Sequence, residues 1–159
     1  ILPAFTWNSD VISVLNAGFK PIFVDIKLKN LALDEEKVKK KINKRTAAIF
    51  LTHAMGFAGI SSTFLKFIKK RKIFLIEDVC ESHGAMLKNK KLGSLGNISN
   101  FSFYYAHHIT TIEGGMICTN SKQIDSIVKM KRGHGLLRDS QNDPLINKMK
   151  KKLKDLNSD

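Results

Sequence analysis

Short apolar, β-prone segments alternate with helix-forming segments through residues 1–80, and this alternation is the strongest constraint on the fold. Residues that commonly begin helices follow the apolar segments: residues 6–10, Asp34, and Ser61 or Ser62. A strand that leads into a helix and then into another strand predicts a parallel crossover. The sequence therefore predicts an α/β layered fold with a mostly parallel sheet flanked by helices.

Acidic and imidazole side chains follow the ends of two predicted strands. An apolar strand precedes Glu77 and Asp78, and the predicted strand 101–104 precedes His107 and His108. The carboxyl ends of parallel strands form the edge at which open α/β sheets bind ligands. We therefore expect carboxylate, hydroxyl and imidazole groups to converge at this edge.

Two other site chemistries are weakly supported by the same residues. A hydrolase with a catalytic serine is possible from Ser102 and His107, but Ser102 lies within a Phe-Ser-Phe strand and not in the Gly-x-Ser-x-Gly turn of such enzymes. Metal binding by His107 and His108 is disfavoured because neighbouring residues on a strand point to opposite faces. We expect no metal, and we expect His108 to face away from His107.

Composition and charge exclude several partner classes. The net charge of +13 comes mainly from lysines in helix-like or turn-like segments without interleaved aromatic residues, which indicates a solvated surface and not a nucleic-acid interface. No apolar run is long enough to span a membrane. Cys80 and Cys118 are predicted to be reduced thiols of a cytoplasmic protein. Because the sequence begins within an apparent strand, we expect it to be part of a longer protein.

A series of short patterns occurs in uninterrupted order from residue 1 to about residue 138. The patterns are Phe5-Thr6-Trp7, Pro21-Ile22-Phe23-Val24-Asp25, Thr52-His53-Ala54-Met55-Gly56, Ile76-Glu77-Asp78, Gly93-Ser94-Leu95-Gly96, Phe101-Ser102-Phe103 and Glu113-Gly114-Gly115-Met116. Together they resemble the DegT/DnrJ/EryC1/StrS family of pyridoxal-phosphate (PLP) dependent sugar aminotransferases.

This resemblance implies a fold and a domain organisation. Residues 1–138 are expected to form part of the PLP-binding large domain of an aspartate aminotransferase-like (fold type I) enzyme, incomplete at both ends. Residues 139–159 are expected to be a linker and helical segment that leads to a C-terminal domain. The resemblance also implies a cytoplasmic homodimer.

One departure from the family pattern bears on the reaction. The family's aminotransferases carry, five residues after the serine of the Phe-Ser-Phe strand, the lysine that bonds covalently to PLP, and this position is His107. Imidazole cannot replace a primary amine there, so the cofactor is expected to be unattached, as PLP or as pyridoxamine phosphate (PMP). Histidine at this position resembles the family's sugar 3-dehydratases, which are lyases of deoxysugar and lipopolysaccharide O-antigen biosynthesis.

The resemblance also implies roles for individual residues. Asp78 would pair with the pyridinium nitrogen of the cofactor, and Trp7 would stack on its ring. Ser102 would bind the phosphate, and Glu81 the ring hydroxyl. His107 would act as the base, because imidazole accepts and returns protons near neutral pH.

The expected substrate is a nucleotide-linked 4-keto-6-deoxy sugar, and residues 77–85 favour GDP-4-keto-6-deoxy-D-mannose. The reaction would remove the C3 hydroxyl, with glutamate restoring the amino form of the cofactor. His134 resembles a family position near the sugar or the amino donor, whereas His83 has no predicted role.

Three alternatives remain open. A CDP-sugar 3-dehydrase would need an iron–sulfur cluster, and although Cys80 matches one ligand, Arg138 and Ser140 stand where two further cysteines are expected. An ordinary aminotransferase is disfavoured by the missing lysine. The third alternative is a family member without catalytic activity, retained for binding or regulation.

Overall fold

The computed structural model describes residues 1–136 and 144–156. The elements in chain order are β1 (Leu2–Pro3), α1 (Asn8–Asn16), β2 (Phe23–Val24), α2 (Glu35–Lys41), β3 (Ala48–Thr52), α3 (Ser62–Lys70), β4 (Phe74–Asp78), β5 (Met86–Leu87), β6 (Lys90–Lys91), β7 (Ile98–Ser102), β8 (Gly115–Thr119), α4 (Lys122–Arg132) and α5 (Pro144–Leu156). Contacts divide the chain into two compact units, residues 1–118 and 119–159.

The central sheet has the strand order β3-β4-β7-β8, and β4 pairs in parallel with both β3 and β7. A second parallel pair, β1 with β2, extends it, because the N–H of Phe50 in β3 donates to the carbonyl of Ile1 at 2.9 Å. Helices α1, α2 and α3 connect successive strands. The predicted α/β fold with a mostly parallel sheet is therefore confirmed.

The helix starts follow the predicted caps in two of three cases. Asp34 accepts from the N–H of Lys37 at the start of α2, and Ser61 accepts from Phe64 at the start of α3. The prediction was wrong for α1, whose N-cap is Trp7 with no capping side-chain bond. Its one acidic residue near the start, Asp10, uses its carboxylate for other contacts.

Strand β7 spans Ile98–Ser102 and therefore begins and ends earlier than the predicted strand 101–104. Its register with β4 pairs Ile76 with Ile98 and Asp78 with Asn100, and the strand ends at Ser102. Beyond it the chain turns, and the N–H of His107 donates to the carbonyl of Tyr104 at 3.0 Å. The segment that contains the two adjacent histidines is therefore a series of turns and not a strand end.

A two-residue turn joins β5 to β6 in a hairpin. Lys88 begins the turn with φ 54°, a conformation that tight hairpin turns require of their first central residue. This excursion lies between Asp78 and the next sheet strand.

The second unit contains α4 and α5. Ser121 caps α4 by accepting from the N–H of Ile124 at 3.3 Å. The predicted amphipathic segment near the chain end is helix α5. The predicted domain boundary between residues 138 and 139 falls within 137–143, outside the described residues. No helix in residues 1–136 or 144–156 has both the length and the apolar character needed to cross a membrane.

The two faces of β4 have different surroundings. Since alternate residues of a strand point to opposite faces, Leu75 and Glu77 share one face, and Ile76 and Asp78 share the other. The face of Leu75 is the main core, with a buried cluster that includes Val38, Ile49, Leu51, Phe64, Ile68 and Leu95. Glu77 thus enters the apolar core, and Asp78 does not.

Glu77 is fully buried and accepts four hydrogen bonds. Its Oε2 accepts from Nε2 of His53 at 3.0 Å and from the N–H of Gly93 at 2.9 Å. Its Oε1 accepts from the N–H groups of Leu95 at 2.8 Å and Gly96 at 2.7 Å. A buried carboxylate is tolerated only with such partners, so Glu77 attaches the 93–96 loop to the sheet.

The partners of Glu77 fix its protonation and that of His53. Burial alone would raise the pKa of Glu77, but the hydrogen bonds from His53, Gly96 and Gly93 outweigh it and hold the pKa below its ordinary value. Nδ1 of His53 accepts from the N–H of Gly59 at 3.0 Å, so the ring hydrogen is on Nε2 and points at Glu77.

We predict that Glu77→Gln lowers the free energy of unfolding by about 2–4 kcal/mol, because an amide cannot accept from four donors. The wild type should also lose stability as the pH falls below 4.5, the ordinary pKa of the group, since its pKa is lower in the folded state. This acid-dependent loss should be smaller in Glu77→Gln.

Urea unfolding of the full-length protein at several pH values measures both effects. The matched control is Glu36→Gln, whose exposed carboxylate pairs only with Lys39 and should change stability by less than about 0.5 kcal/mol. Equal stability of the two variants would contradict a structural role for Glu77.

Candidate functional site

Three polar side chains form a row across the carboxyl edge of the sheet. The register pairs Thr52 of β3 with Asp78 of β4, and Asp78 with Asn100 of β7. All three lie at or near the ends of parallel strands, where ligand sites of open sheets form. The row defines the floor of the candidate site.

Asp78 is buried and held by two donors. Its Oδ1 accepts from the N–H of Cys80 and from Nδ2 of Asn100, both at 3.0 Å. Both bonds go to the same oxygen, which leaves Oδ2 for a donor on another element or on a ligand. Asn100 was missed in the sequence because β7 was placed too late; the alternation of Ile98, Ser99 and Asn100 was the available signal.

Asp10 of helix α1 lies against this row. Its Oδ2 accepts from the hydroxyl of Thr6 at 2.7 Å and from that of Thr52 at 3.1 Å. The Asp10 carboxyl also lies near that of Asp78, close enough for the two charges to interact. Only 4% of Asp10 is exposed, so two carboxyl groups share a dry environment.

The pKa of Asp10 is raised to about 7. Burial is the main cause and the charge of Asp78 the next, while the hydroxyls of Thr6 and Thr52 act in the opposite direction. Near neutral pH Asp10 is therefore about half protonated, since a second negative charge beside Asp78 is unfavourable. The sequence indicated an acidic first turn but not the direction of this side chain.

Trp7 and Glu81 do not belong to this row, and unlike its members they are exposed. Trp7 stands at the start of α1 with 70% of its surface exposed, a large ring with room for a stacking partner. Glu81 is exposed and accepts from the N–H of Met55 at 3.1 Å. Their predicted contacts with a cofactor ring stay predictions.

Ser102, His107 and His108 are gathered around His83. The ring of His83 lies 6.3 Å from that of His107 and 5.6 Å from that of His108. The expectation that His108 faces away was wrong, because both histidines lie on turns and not on a strand. Oγ of Ser102 accepts from the N–H of Tyr104 at 3.2 Å.

His83 is the residue that the sequence left without a role. Its Nε2 is buried and has no hydrogen-bond partner among the described residues. The pKa of His83 is lowered, chiefly by burial and then by the charges of His108 and His107, so the ring is neutral. A buried ring nitrogen without a partner is rare and indicates a position for a ligand atom.

His134 lies in the turn after α4, in the second unit. It is exposed and has φ 59°. Its predicted contact with a sugar or an amino donor stays a prediction.

The residues present fit a pyridine-type cofactor. Asp10 and Asp78 form an acidic pair, and no cation of the described chain contributes to the pKa of Asp10. A protonated ring nitrogen is the kind of cation that would satisfy such a pair. The exposed ring of Trp7 and the free nitrogen of His83 offer further contacts. No group of three or more potential metal ligands occurs in the described residues.

The fold is that of the PLP-dependent, aspartate aminotransferase-like enzymes of fold type I. The chain belongs to the DegT/DnrJ/EryC1/StrS aminotransferase family, whose profile matches residues 1–158. The family predicted from the sequence is therefore confirmed.

Two relatives illustrate the range of activities near this chain. GDP-4-keto-6-deoxy-D-mannose 3-dehydratase of Yersinia pseudotuberculosis is 35% identical over 87% of this chain and 35% of its own length. GDP-perosamine synthase of Vibrio cholerae is 36% identical over 82% of this chain and 36% of its own length. The chain thus spans little more than a third of the relatives it matches.

A solved structure supports the cofactor expectation. The Escherichia coli GDP-4-keto-6-deoxy-D-mannose 3-dehydratase with bound hydrated PLP superimposes with a TM-score of 0.81 and 36% identity, covering 86% of this chain and 36% of the other. The cofactor implied by the sequence is therefore the one bound in a structure of the same fold.

We predict that Cys80 reacts slowly with alkylating reagents. Burial, followed by the hydrogen bond to Asp78 and the charge of that carboxylate, raises the pKa of the Cys80 thiol to about 12. At about pH 8 only about one thiol in ten thousand is ionised, and the thiolate is the reactive form. Alkylation should be at least about a hundredfold slower than in the urea-unfolded chain.

Mass spectrometry of the full-length protein after timed iodoacetamide treatment measures this rate. Asp78→Asn should accelerate the reaction, because it removes the charge that opposes ionisation. Fast alkylation of the wild type, or no response to Asp78→Asn, would contradict the electrostatic explanation.

Proposed function

We propose that the protein containing this chain is a PLP/PMP-dependent 3-dehydratase that removes the C3 hydroxyl of a nucleotide-linked 4-keto-6-deoxy sugar. The favoured substrate is GDP-4-keto-6-deoxy-D-mannose, a reaction of deoxysugar and O-antigen synthesis. The observation that carries the proposal is the imidazole of His107 where the family's aminotransferases have an amine, beside the free nitrogen of His83.

The proposed site has an acidic end and a basic end. When bound, the cofactor supplies an amino group and a ring that accepts electrons. At the acidic end, Asp78 holds the proton on the ring nitrogen, with its own carboxylate oriented by Asn100 and Cys80. Trp7 stacks on the ring, Ser102 binds the phosphate and Glu81 the ring hydroxyl.

At the basic end, His107 removes a proton from the C4′ carbon of the cofactor and is then able to return it. Its turn is fixed by the bond from its own N–H to the carbonyl of Tyr104 at 3.0 Å. The pKa of His83 is lowered, so this ring adds little positive charge that would oppose protonation of His107. A histidine base matched to neutral pH suits this two-way proton transfer.

An aminotransferase is the second candidate, because a GDP-perosamine synthase is as similar to the chain as a 3-dehydratase. Against it stands the absence of an amine at position 107. A protein that binds the cofactor or the sugar without turnover is the third candidate.

Product analysis separates these candidates. Full-length protein is incubated with PLP, glutamate and GDP-4-keto-6-deoxy-D-mannose. A dehydratase must release the glutamate nitrogen, so one 2-oxoglutarate and one ammonia should form for each 3-deoxy sugar. A 4-amino sugar without ammonia would establish the aminotransferase, and absence of turnover would favour the binding protein.

We predict that His107→Lys restores covalent attachment of PLP and abolishes dehydration, since lysine supplies the missing amine. The expected result is a shift of the PLP absorbance to longer wavelength and a borohydride-stable mass increase on the peptide that contains residue 107. The matched control is His108→Lys, an adjacent and exposed position that should leave the spectrum unchanged. Equal labelling of both variants would place the reactive position elsewhere.

A further inference from the structure

We propose that Asp10 is a positioning residue of the cofactor site: its carboxyl shares a proton with that of Asp78 and provides a second negative charge that keeps the cofactor's ring nitrogen protonated above neutral pH. This inference rests on the proposed binding of PLP. It adds a residue from helix α1 to a role that the family resemblance gave to Asp78 alone.

The geometry holds the Asp10 carboxyl in one orientation. Asp10 is in the first turn of α1, and the hydroxyls of Thr6 and Thr52 both donate to its Oδ2. These two hydroxyls also lie 2.6 Å from each other, so the helix start and the strand end form one hydrogen-bonded unit. The carboxyl is thereby directed toward Asp78 and does not cap its own helix.

Among the described residues, no cationic side chain lines the cavity next to Asp10. This cavity of about 330 Å³ is lined, besides Asp10, by Ser9, Ser13, Ser99, Asn100 and four apolar residues, Phe50, Ile76, Ile98 and Ile117. Asp10 can therefore receive an N–H group without displacing a protein cation.

The charged and titratable neighbours of Asp10 are few. From β4 the neighbour is Asp78, and from the segment after it the Cys80 thiol, which is neutral because its pKa is raised to about 12. The hydroxyls of Thr6 and Thr52 do not titrate in this range. Glu77 lies on the opposite face of β4, where it is hydrogen-bonded to His53. The pair therefore depends on pH through its own carboxyls.

The protonation states can be counted. In the chain without cofactor, Asp10 carries a proton below about pH 7 and loses it above that value; a bound ring nitrogen with its proton would add one positive charge beside the two carboxyl groups. The net charge of the three groups then changes from zero to minus one. The added negative charge opposes loss of the ring proton as the pH rises.

The test compares the wild type with Asp10→Asn in the full-length protein, using PLP as the probe. Asparagine keeps the shape and can donate to Asp78 as the protonated acid does, but it cannot ionise. Dissociation constants for PLP should agree within about twofold at about pH 6. At about pH 8.5 the variant should bind about tenfold more weakly, which corresponds to one pKa unit at the ring nitrogen.

Two further readouts are independent of turnover. The absorbance change that reports loss of the ring proton should occur about one pH unit lower in Asp10→Asn. Without PLP, the wild type should lose unfolding free energy as the pH rises from 3.8 toward about 7, because the folded state keeps a proton that the unfolded chain releases. Asp10→Asn should lack this slope.

Asp25→Asn is the matched control, since Asp25 is exposed and pairs with Lys37 away from the site. It should change neither the pH profile of PLP binding nor the stability slope. Identical pH profiles of PLP affinity in wild type and Asp10→Asn would overturn the inference, even if the stability slope is present. A wild type that shows the slope but binds no PLP would overturn the proposed function and leave only the shared proton.

Discussion

The pair Glu77 and Asp78 at the end of β4 is the constraint on which the rest of the structure depends. Strand alternation sends one carboxylate into the core and the other to the opposite face. The first accepts four hydrogen bonds and is ionised by them; the second has two donors on a single oxygen and faces another acid. Two neighbouring carboxylates thus differ in their surroundings because of their direction alone: Glu77 lies in the core, and Asp78 lies at the candidate site.

The core carboxylate also positions the site. Its bonds to Gly93, Leu95 and Gly96 fix the loop that leads into β7, and Gly93 can make this approach because its φ is 88° and a side chain there would collide with Phe101. The register of β7 then follows and places Asn100 beside Asp78. The orientation of Asp78 at the candidate site therefore depends on the hydrogen bonds that satisfy Glu77.

Much of the fold and part of the site follow from the sequence. Local sequence patterns were enough to predict the β-α alternation, the helix caps Asp34 and Ser61 and the acid at residue 78, and the structure retains all of them. Asp10 and Asn100 were not predicted from the sequence as site residues, because their contacts depend on which strand or helix lies next to them. The two histidines at 107 and 108 were predicted to face opposite ways because they were placed at a strand end. The strand instead ends at Ser102, and the chain turns where the N–H of His107 bonds to the carbonyl of Tyr104.

His83, beside His107 and His108, and Asp10, beside Asp78, each hold a polar group in an unfavourable state. His83 retains a buried nitrogen without a partner among the described residues, and Asp10 retains a proton that its ordinary pKa would have released. Each state costs free energy in the protein alone, since an unpaired buried polar group and a desolvated carboxyl pair are both unfavourable. A planar cationic ligand that contacted both groups would relieve both costs.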